Sequence, residues 1–362
     1  MKLGIDVRPL AYGVTGNSRY LAETLRRMIP KHKNVQFYFY SNKPIHPIFE
    51  DLINHSNVVL RIEDKSIPGP IYLHFFLPRR IKKDNIVKFW ATLQLLPFFK
   101  LNIPTFVNYH DLNFISAPET MAKWNYYQHK FFSPRTLKIA DRIFCLSKNT
   151  FHDIEINFPF AKNKCVVIFP GVVKRNFKKI KNVLPTNFFL TVGTLEPRKN
   201  IKRLTTAFQN FKIKNPKDKH SLLILGRKGW GEEGMELFSF LTSDTAKKLS
   251  IQFIENPSDD LLGQAIHECE SFFFPSLHEG FGLPLLEAMI ENKRCIASNI
   301  PVFKEILEDK NDLYVDPFDT EKWEMAFEEV SKFKTKNRIP KFKETNWSWD
   351  RTTQLLEKEL LK

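Results

Sequence analysis

Two glutamates eight residues apart, Glu279 and Glu287, bracket a glycine turn in FFFPSLHEGFGLPLLEAM, residues 272–289. An ionised carboxylate only accepts hydrogen bonds, so each can take them from two neighbouring hydroxyls of one sugar ring. The apolar run stops at Pro275, the turn Glu279-Gly280-Phe281-Gly282 follows, and Pro284 suits the first turn of a new helix. Backbone N–H groups of Gly280, Phe281, Gly282 and Leu283 would lie at that helix start, where anions and hydroxyls bind. Were the interval all helix, it would span about 12 Å, the reach from a sugar to a ribose. Taken alone, Glu287 is equally a solvated or capping helix residue; the flanking Pro275-Ser276 and Leu286-Glu287-Ala288-Met289 favour a ligand turn.

A second candidate is VGTLEPRKNIKRLTTAF, residues 192–208. A strand ending at Gly193 and a helix starting near Lys199 place Arg198 and Lys199 at a helix N-terminus, where positive charge opposes the macrodipole. An anion such as a diphosphate removes that conflict; the plain alternative is a solvated basic pair. A third candidate is His110, within Tyr109-His110-Asp111-Leu112. It is expected at the C-terminal end of a parallel strand, where ligand crevices of α/β sheets open. A structural histidine ordered by a neighbour is its alternative, and Asp111 reads as a loop-fixing residue. No Asp-x-Asp triplet occurs. A diphosphate bound there would then be met by Arg198, Lys199 and helix amides, with no metal and no cofactor required.

The elements that must position these residues follow from the apolar pattern. The chain opens on a buried strand, a loop carrying Gly13 and Gly16, and a helical pattern over 18–28. Apolar runs at 35–40, 105–109, 142–146 and 165–169 alternate with helical patterns, clearest over 121–140, as in a parallel sheet covered by helices. Near Pro170-Gly171 the pattern breaks, and a Lys-rich connector at 174–181 leads into a second series. Its expected strands are 188–192, 221–225, 250–254, 271–274 and 294–297, and its expected helices are 199–211, 259–269 and 284–290. The spacing thus predicts an N-terminal Rossmann-like domain over 1–172 and a C-terminal one over 180–345. A final helix within 346–362 should pack back toward the first.

A chain of 362 residues exceeds what one core organises. The most apolar stretch, 89–101, is too short to span a bilayer and is interrupted by Gln94 and Pro97. Asp6 and Arg8 interrupt any signal-peptide core, so the expected location is the cytoplasm, with peripheral attachment at the inner face of the membrane. Cys145, Cys165, Cys269 and Cys295 are widely separated in apolar runs, which reads as reduced core residues. The net charge of +15 suits phosphate-bearing substrates, an anionic membrane or a Lys-rich solvated surface; no nucleic-acid motif accompanies it. The basic-apolar run Leu77-Pro78-Arg79-Arg80-Ile81-Lys82-Lys83 could lie on an anionic bilayer or be a solvated loop. Trp124, Tyr126, Tyr127, Phe131 and Phe132 share one helical pattern that could meet an acceptor or a membrane; core packing is the favoured expectation.

The two motifs resemble family 4 of the glycosyltransferases, in HEGFGLPLLEAM (Glu279-x7-Glu287) and GTLEPRKN, residues 193–200. The likeness continues at Asn299-Ile300-Pro301 to Glu305 and at Val315-Asp316-Pro317. In the first half it rests on the loop 13–20, on Tyr109 to Leu112 and on 141–147. The resemblance implies an α/β fold of the GT-B type, two Rossmann-like domains with a donor cleft between them. It implies retaining transfer of a hexose, with mannose favoured, from a nucleoside-diphosphate sugar to a glycan or lipid-linked acceptor, in cell-surface polysaccharide or lipopolysaccharide synthesis. By the same likeness Glu279 and the amides of Gly280 to Leu283 hold the transferred sugar, Glu287 the ribose, and Arg198 with Lys199 the diphosphate. Gly16 approaches the phosphates from the opposite domain and His110 faces the donor sugar. The chain departs from the family at Thr194, where an arginine is common, in its TGNSRY loop, and at Ile290-Glu291-Asn292-Lys293. A sugar-nucleotide epimerase of the same fold and a non-catalytic basic binding protein are the rival functions.

Overall fold

The computed structural model describes residues 1–63, 67–229, 231–307, 312–332 and 347–362. They form two units: Met1–Gly171 together with the C-terminal helix, and the part beginning at Val172. In the first unit seven strands, β1 (Lys2–Asp6), β2 (Gln36–Ser41), β3 (Val58–Ile62), β4 (Lys88–Ala91), β5 (Thr105–Tyr109), β6 (Arg142–Cys145) and β7 (Cys165–Val167), make one sheet. Their order is β3-β2-β1-β4-β5-β6-β7 and every pairing is parallel. All of β5 and all but the first residue of β2 are buried, as continuous apolar runs are when helices cover both faces of a sheet.

The second unit contains β8 (Phe188–Val192), β9 (Ser221–Gly226), β10 (Ile251–Glu255), β11 (Ser271–Phe274), β12 (Arg294–Ser298) and β13 (Leu313–Val315). Their order is β10-β9-β8-β11-β12-β13, again all parallel. Aromatics fill one face: Phe327 stacks on Phe273 at 4.2 Å and meets Phe208 edge-on at 5.1 Å, ring centre to ring centre. In both sheets the strand order reverses once, between β1 and β4 and between β8 and β11. Such a switch point leaves a crevice beyond the C-terminal strand ends.

The C-terminal helix Trp349–Leu360 packs against the helix Gly16–Lys31, with Trp349 edge-on to Tyr20 at 6.0 Å and Arg27 paired to Asp350 at 3.2 Å. The Thr352 hydroxyl donates to the Phe169 carbonyl at 2.6 Å. The neighbouring Gly171 has no room for a side chain, since a Cβ there would lie 2.2 Å from the Trp349 nitrogen.

Three expectations need correction. Residues 77–83 are not a solvated loop: segments Gly69–Ile71, Tyr72–Phe76 and Leu77–Lys83 run on as one helix, and Leu77 and Ile81 are buried. The middle segment has π geometry, with the Leu77 N–H donating to the Tyr72 carbonyl, and the wider turn accommodates Pro78. The aromatics of the helix Lys123–Ile139 are not all core, because Trp124, Tyr127 and Phe131 face solvent while Tyr126 and Phe132 pack inward. Finally, the helix expected to start near Lys199 starts at Ile201; a 3-10 turn, Pro197–Lys199, and a left-handed Asn200 (φ 55°) precede it. The four cysteines are free, and Cys145, Cys269 and Cys295 are buried. Among the described residues no helix is long and apolar enough to cross a membrane.

Candidate functional site

The loop after β11 and the turn after β8 leave neighbouring strands, with Ser271 beside Phe189 and Phe272 beside Leu190. The second unit's switch point therefore brings Glu279 to Arg198 and Lys199, about eighty residues away in sequence. The two segments are also joined through the backbone, the Leu277 N–H donating to the Arg198 carbonyl at 2.8 Å. Asn200 fixes the turn from behind, its amide donating to the carbonyls of Pro275 (3.1 Å) and Pro317 (2.7 Å).

Glu279 is buried and its carboxylate is gripped from three sides. Arg198 Nη1 lies 3.0 Å from Oε2, Lys199 Nζ 2.5 Å from Oε1, and the Ser276 hydroxyl donates to Oε1 at 2.7 Å. Arg198 also donates to Glu196 Oε1 at 2.7 Å and to the His278 carbonyl at 3.0 Å. Burial alone would raise the pKa of Glu279, but the charges of Lys199 and Arg198 and the bonds from Lys199 and Ser276 outweigh it and hold the group at about 2. The cation pair expected to need an external anion thus has one inside the protein. Arg198 and Lys199 sit in the 3-10 turn, and the carboxylate of Glu279, from the loop after the neighbouring strand β11, balances them.

The segment Gly280 to Leu283 turns from Glu279 into the helix Leu283–Ile290, so only the second half of the Glu279 to Glu287 interval is helical. Gly282, the N-cap, has φ 117°, a left-handed value that disfavours any side chain, and a Cβ there would meet Phe303 at 3.0 Å. The Phe281 side chain is buried. Glu287 is buried one helical turn further on and forms a bidentate pair with Arg175, at 3.0 and 3.1 Å from Nη2 and 3.3 Å from Nε. Arg175 also reaches Asp259 at 3.2 Å. It lies in the connector, which has no periodicity to announce it; Glu196 and Asn200 lie inside the GTLEPRKN motif and Ser276 just before HEGFGLPLLEAM, and none was singled out.

Gly16 and His110 belong to the first unit. Gly16 is the first residue of its helix, behind a Thr15–Ser18 capping box, and Gly13 is the residue with positive φ, 72°. His110 follows β5, is buried, and places Nε2 3.0 Å from the Thr92 carbonyl. A carbonyl accepts only, so Nε2 carries the proton and Nδ1 is left an acceptor; among the described residues Nδ1 has no hydrogen-bond partner. Burial lowers the His110 pKa against the opposing pull of the Thr92 bond and Asp111, which keeps the ring neutral. Asp111 accepts from the Asn113 backbone (3.2 Å) and side chain (3.0 Å), the contacts of a loop-fixing residue.

Residues 172–343 match the family described as glycosyl transferases group 1. The crystal structure of Anabaena Alr3699/HepE in complex with UDP and glucose has the same fold, with a TM-score of 0.70 at 15% identity over 100% of this chain and 99% of that one. The fold is GT-B. Among curated proteins, the O-antigen chain mannosyltransferase RfbU of Salmonella typhimurium is 29% identical over 227 residues, 62% of this chain and 60% of its own length. The serotype-specific mannosyltransferase WbdA of Escherichia coli is 32% identical over 175 residues, 48% of this chain and 21% of its own length. The chain thus spans less than two thirds of either relative.

Proposed function

We propose that this protein is a retaining glycosyltransferase of family 4 that moves a hexose, with mannose favoured, from a nucleoside-diphosphate sugar to a glycan or lipid-linked acceptor of a cell-surface polysaccharide such as the O-antigen. The observation that carries the reading is the Glu279–Arg198–Lys199 cluster at the switch point of a glycosyltransferase group 1 domain. Glu287 accepts hydrogen bonds from the ribose, using the lone pairs that Arg175 leaves. Arg198 and Lys199 have eight N–H donors between them, so they can hold Glu279 and also meet the leaving diphosphate as its charge develops. Metal is not required for that step.

A carboxylate held near pKa 2 by two cations and a hydroxyl is a weak nucleophile. This favours transfer on one face, with the leaving phosphate taking the acceptor proton, over a covalent Glu279 intermediate. His110 Nδ1 accepts from a hydroxyl of the donor sugar, and the protein works at an anionic membrane surface. Calorimetry with GDP and UDP, followed by GDP release from GDP-mannose with lipid-linked acceptor, tests the reading. Expected are micromolar binding of one nucleotide and acceptor-dependent turnover. Absence of nucleotide binding would falsify it, and acceptor-independent release of an altered free sugar would make the protein an epimerase.

A further inference from the structure

The helix Lys123–Ile139 turns an aromatic stripe to solvent. Trp124, Tyr127 and Phe131, spaced three and four apart, are 70%, 52% and 70% exposed, and the Tyr127 and Phe131 rings stack at 6.5 Å. One position further, Phe132 packs against His74 at 4.6 Å and Phe98 at 6.1 Å; Phe98 is edge-on to Phe99, which is 67% exposed. Phe75, beside His74, is exposed as well. Phe132 therefore joins the segments 72–83, 98–104 and 123–139, through its contacts with His74 and Phe98. These three stretches carry nine Lys and Arg and no Asp or Glu. One of the nine, Arg80, is engaged by Glu63; Lys82, Lys83, Lys100, Lys123 and Lys138 are exposed.

Exposed aromatics between cations fit one kind of surface. Trp and Tyr settle at the boundary between headgroups and acyl chains, Phe inserts just below it, and Lys and Arg reach the anionic headgroups. A second copy of the chain would set cations against cations on this face. We propose that this basic aromatic face docks the protein on an anionic lipid bilayer. It rests on the membrane-surface reading above, but its test needs neither donor nor acceptor and so stands or falls separately from transfer.

The whole chain is sedimented with vesicles of phosphatidylcholine alone and with a one-third share of phosphatidylglycerol. Expected is binding to the anionic vesicles, weakened by salt, with little binding to the neutral ones. The variant Trp124→Ser/Tyr127→Ser/Phe131→Ser and the variant Lys123→Gln/Lys138→Gln should each lose at least about tenfold in affinity. Their thermal melts should be unchanged, since the side chains are exposed. Trp124→Phe should keep binding but lose the blue shift of tryptophan emission that vesicles produce. Wild type failing to bind anionic vesicles, or binding that survives the aromatic variant, overturns the proposal. So does a result in which the aromatic variant instead abolishes RNA binding or self-association while wild type ignores lipid.

Discussion

At the scale of single residues, the ion cluster makes Glu279 a probe of its own surroundings. Its folded pKa of about 2 lies below the ordinary carboxylate value of 4.5, so its contribution to stability is full above pH 4.5 and is lost as pH falls toward 2. Between pH 5 and pH 3 that loss amounts to about 2 kcal/mol. Thermal melts over this range should show wild type losing more stability than Glu279→Gln, and parallel curves would mean the cluster is not formed in solution. The same substitution frees Arg198 and Lys199 from their internal anion, so affinity for the nucleoside diphosphate should hold or rise in calorimetry. Turnover should fall about ten- to a thousandfold, as for loss of a group that acts in the transition state. Equal losses in both would move Glu279 onto the nucleotide. Lys199→Ala should cost turnover on a similar scale, while excess EDTA should leave wild-type activity intact. Glu279, Arg198 and Lys199 stand out in the sequence because they sit in strand-to-helix turns, and Glu287 because it follows eight residues later, inside the helix Leu283–Ile290. That Glu279 lies between the two cations was not legible, because the contact depends on which strands become neighbours, and β8 and β11 are separated by two whole strand-helix units. Arg175 left no signal either, since a lone arginine in a Lys-rich connector looks like any other solvated charge.

At the scale of elements, the connector is stitched to one helix. Besides Arg175 to Asp259, the Lys178 N–H donates to Asp260 at 2.9 Å and the Ile180 N–H to Gln264 at 2.8 Å, all on the helix Asp259–Glu268. Removing Arg175 takes a bidentate cationic partner from the buried Glu287 carboxylate, a loss that typically costs 3–5 kcal/mol. Arg175→Met should therefore destabilise strongly, and Arg175→Met/Glu287→Met should recover most of the loss in urea unfolding; additive losses would show that the pair is not a unit. Gly282→Ala should destabilise by about 1–3 kcal/mol through its positive φ and displace the turn that carries Gly280 and Phe281. A variant as stable as wild type would show that the turn relaxes freely. The parallel sheets were legible wherever strands are continuous apolar runs. β3 and β4 escaped: Val58–Ile62 is only half-buried and includes Arg61, and Lys88–Ala91 opens a longer apolar stretch whose remainder is loop. Pro78 hid the helix through Lys83, because a π turn that admits proline has no sequence pattern of its own.

At the scale of the whole molecule, the chain leaves the first unit at Gly171, builds the second, and returns to the first for its last helix. Deleting Trp349–Leu360 strips the helix Gly16–Lys31 of its Trp349 and Asp350 contacts. The first unit should then become the more protease-sensitive one while the second melts as before; the opposite order would assign the helix to the wrong body. The same path has a consequence during synthesis. Residues 1–171 emerge from the ribosome with the Tyr20 face still bare, and the helix that covers it follows some 178 residues later. At about 5–20 residues per second, the nascent first unit waits on the order of ten to thirty-five seconds with an apolar surface uncovered. In that interval the second unit can finish folding before the first. A holdase chaperone captured on stalled chains should therefore sit on the segment translated earliest, and leave it only when the final helix clears the exit tunnel.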